Sequence, residues 1–387
     1  MYSLYIHVPF CQHRCSYCDF NTYAGQEHLQ TAYVEALCRE IALVASSARE
    51  ALPVHTVYFG GGTPSLLSPA QIGRILEAVA RHFALAEEAE ISLEANPGTV
   101  NQVYLKALWK AGINRLSLGV QSAHPDDLRL LEREHDFGTV IRAVAWARAA
   151  GFDNLNLDLI FGLPHQPLER WQKTVHWALA LKPEHLSLYA LTLEYGTPLA
   201  HWVGRGLLPA PDDDLAAEMY TWADRRLREK GYTQYEISNW ARPGMACRHN
   251  LQYWRNQPYL GLGAGAHGYA AGMRTVNVLT PAAYIRRLSA AASPRPFPRT
   301  PATVNARLLS PTDEMAETMM MGLRLTEEGV ARSAFAQRFG QDMMAVYGKS
   351  IQRLVTQGLL MWSADGERLR LTARGRLLGN WVFRAFV

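Results

Sequence analysis

Three of the five cysteines lie close together near the N-terminus, at Cys11, Cys15 and Cys18. Their C-x3-C-x2-C spacing puts three thiols on one short loop, where they can hold a metal ion or one face of an iron–sulfur cluster. A structural zinc site needs four ligands, and only His7 and His13 are near enough along the chain to supply the fourth. In a [4Fe–4S] cluster, three cysteines leave one iron free to bind a substrate-like molecule. The spacing favours the cluster and leaves zinc or three ordinary thiols as alternatives.

The cysteine usage and the N-terminus also bear on the cellular compartment. An odd, clustered set of cysteines is unlike a secreted disulfide framework and typical of an intracellular metal site. The first residues show no basic region followed by an apolar core and a cleavage site. No segment offers the roughly 20 mostly apolar residues that a membrane-spanning helix needs. We therefore expect a cytoplasmic protein.

Composition limits the class of protein further. At 387 residues the chain predicts two or three domains, and 48% hydrophobic residues exclude a disordered, collagen-like or rod-like protein. Lys and Arg number 39 against 35 Asp and Glu, a formal net charge of +4. This balance does not imply a large nucleic-acid-binding face, and it permits a local basic pocket for an acidic ligand.

Short apolar runs alternate with amphipathic segments through the first half of the chain. The predicted strands are Leu4–Val8, His55–Phe59, Glu90–Ala95, Arg115–Val120, Asn154–Ile160 and His185–Leu191. The predicted helices are Leu29–Val44, Pro69–Phe83, Val100–Ala111, Gly138–Ala150 and Leu168–Leu181. Right-handed crossovers between such strands build a parallel α/β sheet, which can curl into an open or partial barrel.

Polar residues fall at the C-terminal end of each predicted strand. In chain order they are Cys11 to Cys18, Gly60 to Thr63, Glu94 with Asn96, Gln121, Asp158, and Tyr189 to Thr192. Each taken alone is explained as well by a helix cap, a turn or a surface hydrogen bond. In α/β sheets and barrels, however, the C-terminal strand ends form the active face. We therefore expect all six groups to converge on one rim.

The motif CQHRCSYC resembles the signature of the radical SAM superfamily, in which the open iron of a [4Fe–4S] cluster binds S-adenosylmethionine (SAM). The resemblance implies a partial (β/α)6 barrel and one-electron cleavage of SAM to a 5′-deoxyadenosyl radical. It implies that Cys11, Cys15 and Cys18 ligate the cluster, that Tyr17 packs near the adenine, and that the turn YFGGGTP meets the SAM amino group. By the same resemblance, the positions expected to contact SAM are Tyr5, Gly61, Gly62, Thr63, Glu94, Gln121, Arg133, Asp158 and Thr192.

Within that superfamily the chain resembles the branch that contains an oxygen-independent coproporphyrinogen oxidase and a haem chaperone. The oxidase has a fourth cysteine two residues after the third, where this chain has Phe20. Residues 249–254, HNLQYW, match the HNxxYW motif of the chaperones, which implies that His249 binds haem. Nearby Cys247 is better explained as a buried side chain than as a second ligand, and so is Cys38 in its helix. His267 is not assigned a role.

The second half of the chain loses the strand–helix alternation. Residues 237–275 are predicted to be loop-like, and the Pro-rich run 293–301 to be a linker. The predicted division is a barrel over residues 1–235, a connecting segment with the HNxxYW motif over 236–300, and a winged-helix-like domain over 301–387. Because the last domain is only slightly basic, we expect it to serve structure or docking and not to bind nucleic acid.

These observations predict a haem chaperone that delivers haem to haem proteins such as respiratory enzymes. No catalytic residue is assigned. The alternatives are a radical enzyme acting on a porphyrin, including a methyltransferase, and a nucleic-acid-binding regulator, which the charge disfavours. The expected partners are haem and client haem proteins at or near the membrane, and a homodimer and a peripheral membrane location are left open.

Overall fold

The computed structural model describes residues 1–291 and 293–387. In these residues the strands are β1 (Tyr2–Val8), β2 (Phe10–Cys11), β3 (Tyr23–Ala24), β4 (Pro53–Gly61), β5 (Ala84–Ala95), β6 (Arg115–Gln121), β7 (Leu155–Phe161), β8 (His185–Ala190), β9 (Thr233–Glu236), β10 (Asn239–Ala241), β11 (Tyr259–Leu262), β12 (His267–Ala270), β13 (Met273–Asn277), β14 (Thr303–Leu308), β15 (Val330–Ala331), β16 (Leu360–Trp362) and β17 (Arg368–Leu371). The α-helices are α1 (Gln30–Ser47), α2 (Pro69–His82), α3 (Gln102–Lys110), α4 (Pro125–Leu130), α5 (Phe137–Ala150), α6 (Leu168–Ala180), α7 (Pro198–Gly204), α8 (Asp213–Glu229), α9 (Arg248–Trp254), α10 (Pro281–Ser289), α11 (Pro311–Gly322), α12 (Arg332–Phe339), α13 (Met343–Thr356), α14 (Ala373–Leu377) and α15 (Gly379–Phe383).

The six predicted strands form the centre of the main sheet, in the order β1-β4-β5-β6-β7-β8, and all five pairings are parallel. They are buried on both faces, as their apolar sequences require. The five predicted helices are present with ends within three residues of the expected positions, whereas β5 begins six residues earlier than predicted. The expected parallel α/β sheet of six strands is confirmed.

Local sequence signals set the helix ends. Ser68 caps α2 with a reciprocal capping box to Gln71, and Pro69 occupies the first turn. Helix α5 ends at Gly151, which adopts φ 108°, a conformation that favours glycine. These ends fix where the following strand begins, and therefore which residues reach the C-terminal edge of the sheet.

The loop-like interpretation of residues 237–275 is wrong. Strands β11, β12 and β13 extend the sheet beyond β1, and β14 forms its edge. The glycines that argued against strands are there because the backbones approach closely: a Cβ on Gly261 would lie 1.9 Å from the carbonyl oxygen of His267. Together with β10 and β9 at the opposite edge, these strands bring the main sheet to 12 strands within the described residues.

A buried carboxylate attaches this added region to the barrel. Glu40 of α1 is fully buried and accepts four hydrogen bonds, each within 2.8 Å. The donors are the Gly263 amide, the Asn277 side chain, the Tyr284 hydroxyl and the Thr300 hydroxyl. Burial raises the pKa of Glu40, and the four donors oppose that shift. Thr300 belongs to the predicted linker, so this stretch is fixed to the barrel by a specific contact.

The C-terminal residues have a core of their own. Helices α11 to α15 surround a three-stranded sheet of order β15-β17-β16, with Met319, Ile351 and Leu369 among its buried side chains. Because β14 pairs with β13, residues 303–308 belong to the large sheet. The division of the chain at residues 235 and 300 stays a prediction. In the residues that the structure describes, no helix combines the length and the apolarity needed to cross a bilayer.

Candidate functional site

A cavity of about 530 Å³ lies inside the barrel, and the cysteine loop forms part of its wall. Side chains from all six central strands line it. Every residue predicted from the sequence to bind a cofactor is also on its wall: Tyr5, Cys11, Cys15, Tyr17, Cys18, Gly61, Gly62, Thr63, Glu94, Gln121, Arg133, Asp158, Thr192 and His249. Its size is in the usual range for small-molecule sites.

The three loop cysteines are held in a partly buried, hydrogen-bonded environment. The Thr63 hydroxyl contacts the Cys11 sulfur at 3.6 Å, and the Arg133 guanidinium contacts the Cys15 sulfur at 3.5 Å. Burial raises the pKa of Cys11 and of Cys18. These two thiols are therefore protonated at neutral pH unless a bound cation compensates for the charge of the thiolate.

The donor set fits a cluster better than a single ion. His7 uses both ring nitrogens, in hydrogen bonds to Tyr5 and to the Asn21 carbonyl, and His13 is exposed beside Glu132. No three His, Cys, Asp or Glu side chains in the described residues are arranged to hold one metal ion. In a [4Fe–4S] cluster each thiolate binds a different iron. The three thiols are therefore expected to lie farther apart than the ligands of a single metal ion. The zinc alternative lacks a fourth ligand here.

The glycine turn after β4 has no room for side chains. Gly61 has φ 112°, and a Cβ there would lie 2.5 Å from the His7 ring. A Cβ on Gly62 would lie 2.6 Å from the carbonyl oxygen of Phe10. The Gly61 amide donates to Glu94 at 3.2 Å. The turn therefore brings bare backbone to the cavity wall directly below the cysteine loop.

Two half-buried carboxylates, Glu94 on β5 and Asp158 on β7, line the cavity. Glu94 also accepts from the Tyr58 hydroxyl at 2.8 Å, and Asp158 accepts from Ser117 and Asn156, each at 2.9 Å. Burial, with a smaller contribution from Asp158, raises the pKa of Glu94 to about 7. Burial also raises the pKa of Asp158. Because their hydrogen-bond donors are neutral, both carboxylates suit a ligand that brings an ammonium group or hydroxyls.

Gln121 and Arg133 complete the rim. Gln121 ends β6 with φ 65° at a register shift between β6 and β7, which turns it out of the regular strand alternation. Arg133 donates to the Gly119 carbonyl at 2.9 Å, and its Nε atom has no hydrogen-bond partner among the described residues. Tyr17 packs beside Leu131 and Ile160. Arg133 thus retains donor capacity for an anionic group near Cys15.

The HNxxYW motif lies on helix α9, where His249 contacts Thr56 in the first half of β4, whereas the cysteine loop follows the C-terminal end of β1. The His249 ring is fully buried and stacks on Tyr58 at 5.1 Å between centroids. Its Nδ1 atom is 2.8 Å from the Thr56 hydroxyl, and its Nε2 atom is 2.8 Å from the Tyr253 hydroxyl. Burial lowers the pKa of His249 to about 3, so the ring is neutral. The Glu90 carboxylate accepts from the His249 backbone amide at 3.0 Å.

The aromatic residues of the motif have different positions. Asn250 and Tyr253 line the cavity with His249, whereas Trp254 does not. The guanidinium of Arg324, on the segment after α11, lies over the Trp254 ring at 4.3 Å. Tyr253 can therefore contact a ligand in the cavity, whereas Trp254 contacts the C-terminal region.

Of the remaining residues that the sequence singled out, Cys38, Cys247 and His267 are outside the cavity, and Phe20 lines it. Cys247 is fully buried beneath α9 with its sulfur 3.5 Å from Glu90, and Cys38 lies on α1 next to α2. His267 is exposed on β12. Phe20, at the position of the oxidase's fourth cysteine, lines the mouth of the cavity and is 63% exposed.

Sequence reasoning missed several wall residues, among them Tyr58, Arg115, Ser117, Asn156 and Ser187. They occupy alternate positions on buried strands, as in Arg115, Ser117 and Gly119 on β6. Side chains on a strand alternate between faces, so polar residues at every second position of an otherwise apolar strand would have identified the inner face.

Comparison with known proteins agrees with this geometry. The radical SAM superfamily model matches residues 5–178, and the HemN C-terminal domain model matches residues 309–378. The chain is 38% identical to the Heme chaperone HemW of Bacillus subtilis (strain 168), over 100% of this chain and 99% of that one. It is 38% identical to the mitochondrial radical S-adenosyl methionine domain-containing protein 1 of Mus musculus, over 95% and 83% of the two chains.

Among solved structures, the fold is similar to that of coproporphyrinogen III oxidase (HemN) from Escherichia coli, described as a radical SAM enzyme. The TM-score is 0.83 at 26% sequence identity, over 99% of this chain and 89% of that one. The HemW protein of Mycobacterium tuberculosis (strain ATCC 25618 / H37Rv) is 39% identical over 100% of this chain and 95% of its own. The chain belongs to the radical SAM superfamily, in the branch that contains HemN and the HemW proteins.

Proposed function

We propose that this protein is a haem chaperone that carries a [4Fe–4S] cluster, binds SAM and passes haem to client haem proteins, respiratory enzymes among them. The relatives that match it over their full length are named heme chaperones. The observation that carries the proposal is that the cysteine loop and the HNxxYW helix line the same cavity. A cytoplasmic location and the identity of the clients are parts of the proposal.

Different rim residues bind the cluster and SAM in this proposal. Cys11, Cys15 and Cys18 hold three irons, and the fourth iron supplies the open coordination site for SAM. The carboxylates of Glu94 and Asp158 accept hydrogen bonds from the SAM amino group and ribose hydroxyls. The turn at Gly61 and Gly62 allows the backbone to approach the ligand closely. The remaining rim and wall positions proposed to contact SAM are Tyr5, Tyr17, Thr63, Gln121, Arg133 and Thr192.

His249 is the proposed haem-binding residue. Because its pKa is lowered to about 3, the ring is neutral at physiological pH and has a lone pair for iron. That lone pair is on the nitrogen that does not donate a proton. The Thr56 hydroxyl donates its one proton to Ser3. It must therefore accept a hydrogen bond from Nδ1 of His249, which carries the ring proton. The lone pair is then on Nε2. Haem binding therefore displaces the Tyr253 hydroxyl from Nε2.

The test is a haem titration of His249→Ala and Tyr253→Phe, followed by the Soret absorption band. We expect His249→Ala to weaken haem binding at least tenfold and to change the band of the bound haem, because an axial ligand is lost. Tyr253→Phe removes the group that occupies Nε2, so its affinity should equal or exceed that of the wild type. His267→Ala, at an exposed histidine outside the cavity, is the matched control. Wild-type haem binding by His249→Ala would contradict the assignment.

The second candidate is a radical enzyme that acts on a porphyrin. The complete set of predicted SAM residues around one cavity favours it, and the structural relative HemN is described as a radical SAM enzyme. Phe20, in place of the fourth cysteine, opposes it. Reduced protein incubated with SAM and coproporphyrinogen distinguishes the two candidates, since formation of 5′-deoxyadenosine together with protoporphyrinogen would favour the enzyme.

A further inference from the structure

Arg115 is a buried cation that forms no salt bridge with any carboxylate of the described residues, although Glu90, Glu94 and Asp158 lie within its electrostatic range. It is the first residue of β6, is 1% exposed and lines the cavity near the HNxxYW helix. Among the described residues its Nε atom has no hydrogen-bond partner. Glu90 on the adjacent strand β5 is within electrostatic range of Arg115, but its carboxylate already accepts from the Cys247 thiol, the Arg248 amide and the His249 amide.

Such a guanidinium is expected to have an anionic partner. It carries five N–H donors and stays charged at all physiological pH values. A buried charge without hydrogen bonds is strongly unfavourable, and buried polar groups in native proteins are nearly always satisfied. Because Arg115 faces the cavity, a ligand in the cavity can supply the partner that the protein does not.

The charges along the wall restrict where an anionic group can bind. Glu94 and Asp158 pair in register with Ser117 and Gly119 of β6, which are nearer than Arg115 to the C-terminal strand ends, and they repel a carboxylate there. Arg115 and Gln121 are the two ends of β6, so their Cα atoms are roughly 20 Å apart at about 3.3 Å per residue. The SAM carboxylate, bound at the rim, is therefore not the group that Arg115 contacts. His249, by contrast, is within electrostatic range of Arg115, which helps to lower the histidine's pKa.

We propose that Arg115 binds a carboxylate of the molecule that occupies the His249 end of the cavity. The inference builds on the proposed function, in which that molecule is haem and the carboxylate is one of its two propionates. A bidentate guanidinium–carboxylate pair satisfies the buried donors and fixes the orientation of the porphyrin.

The first test compares haem with haem dimethyl ester, in which both propionates are neutral. Wild-type protein should bind the diacid at least tenfold more tightly than the ester, and Arg115→Met should reduce this ratio to about one while keeping the Soret band of His249-bound haem. Arg115→Lys, which keeps the charge and loses the fork geometry, should give an intermediate ratio. Arg142→Met, at an exposed arginine of α5, should keep the wild-type ratio.

Two results would overturn the inference. One is a ratio near one in the wild-type protein, a measurement that requires no variant; the other is an Arg115→Met protein that keeps the wild-type preference for the diacid.

A second test is independent of haem. Propionate should raise the melting temperature of wild-type protein relative to chloride at equal ionic strength, and should not do so for Arg115→Met. If this protection depends on Arg115 but His249→Ala binds haem normally, the carboxylate site stands and the haem assignment fails. Equal protection of both proteins removes the carboxylate site.

Discussion

At the scale of single residues, Glu94 is a cavity carboxylate whose charge changes near neutral pH. Burial and the nearby Asp158 raise its pKa to about 7, while the Tyr58 hydroxyl and the Gly61 amide stabilise its ionised form. Below that pH the protonated carboxyl is a weaker acceptor for an ammonium group. Its protonation state therefore controls how well the cavity accepts a cationic ligand.

We predict that SAM affinity falls with decreasing pH because Glu94 takes up a proton. The ionised fraction of a group with a pKa near 7 drops about tenfold between pH 8 and pH 6, so the dissociation constant of SAM should rise by about that factor. Glu94→Gln should bind SAM weakly at pH 8 and show a flat profile, measured by calorimetry on the cluster-loaded protein. Glu87→Gln, at an exposed position of the same strand, should behave as the wild type. If the SAM dissociation constant of Glu94→Gln depended on pH as that of the wild type does, Glu94 would not have this role.

The residues at the rim of the cavity could be predicted from the sequence because they belong to motifs with a defined spacing. The cysteines, the glycine turn and the polar strand ends all lie on the wall of one cavity, as expected. Arg115 and Glu90 escaped prediction because Arg115 begins β6 and Glu90 lies in the middle of β5, away from the C-terminal strand ends that the motifs mark. They matter because they lie next to α9, which follows them by more than 100 residues in the chain.

At the scale of elements, α9 depends on its neighbours. It has only seven residues and no capping side chain of its own, and a helix this short is unstable alone. Glu90 of β5 supplies the missing cap, since its carboxylate accepts from the amides of Arg248 and His249, each at 3.0 Å. This cap fixes the position of His249 relative to the cavity.

We predict that Glu90→Ala releases the start of α9. The variant leaves two amides without their acceptor, which should cost about 1–3 kcal/mol in the free energy of unfolding, measured by urea denaturation. It should also weaken haem binding, because His249 is no longer held in place. Glu87→Ala, on the exposed part of β5, is the matched control and should change neither quantity. Haem affinity equal to that of the wild type would show that His249 is positioned without the cap.

The elements that sequence predicted are those with a regular hydrophobic period, namely the six central strands and the helices between them. Strands β11 to β13 were missed because glycines at close backbone contacts removed the apolar signal. Gly268, for example, would place a Cβ 2.7 Å from the Thr275 hydroxyl. Such glycines are required by the pairing of one strand with the next, and that pairing is not visible in a local window.

At the scale of the whole molecule, α9 lies between the barrel and the C-terminal region. On one side His249 faces the cavity; on the other, Trp254 stacks against Arg324 and Asn256 donates to Thr318 at 3.1 Å. The sequence indicated a separate C-terminal module but not this contact, because the partners are about 60 to 70 residues apart and follow no motif. A ligand that moves α9 therefore acts on both regions.

The central claim concerns the one cavity that the cysteine loop and the HNxxYW helix both line, and it depends on the cluster at the cysteine loop. The most direct measurement is the iron and acid-labile sulfide content of anaerobically purified protein. The account predicts about four irons and four sulfides per chain, lost in Cys11→Ala, Cys15→Ala and Cys18→Ala and retained in Cys38→Ala. Zinc, or no metal, in the wild-type protein would contradict it.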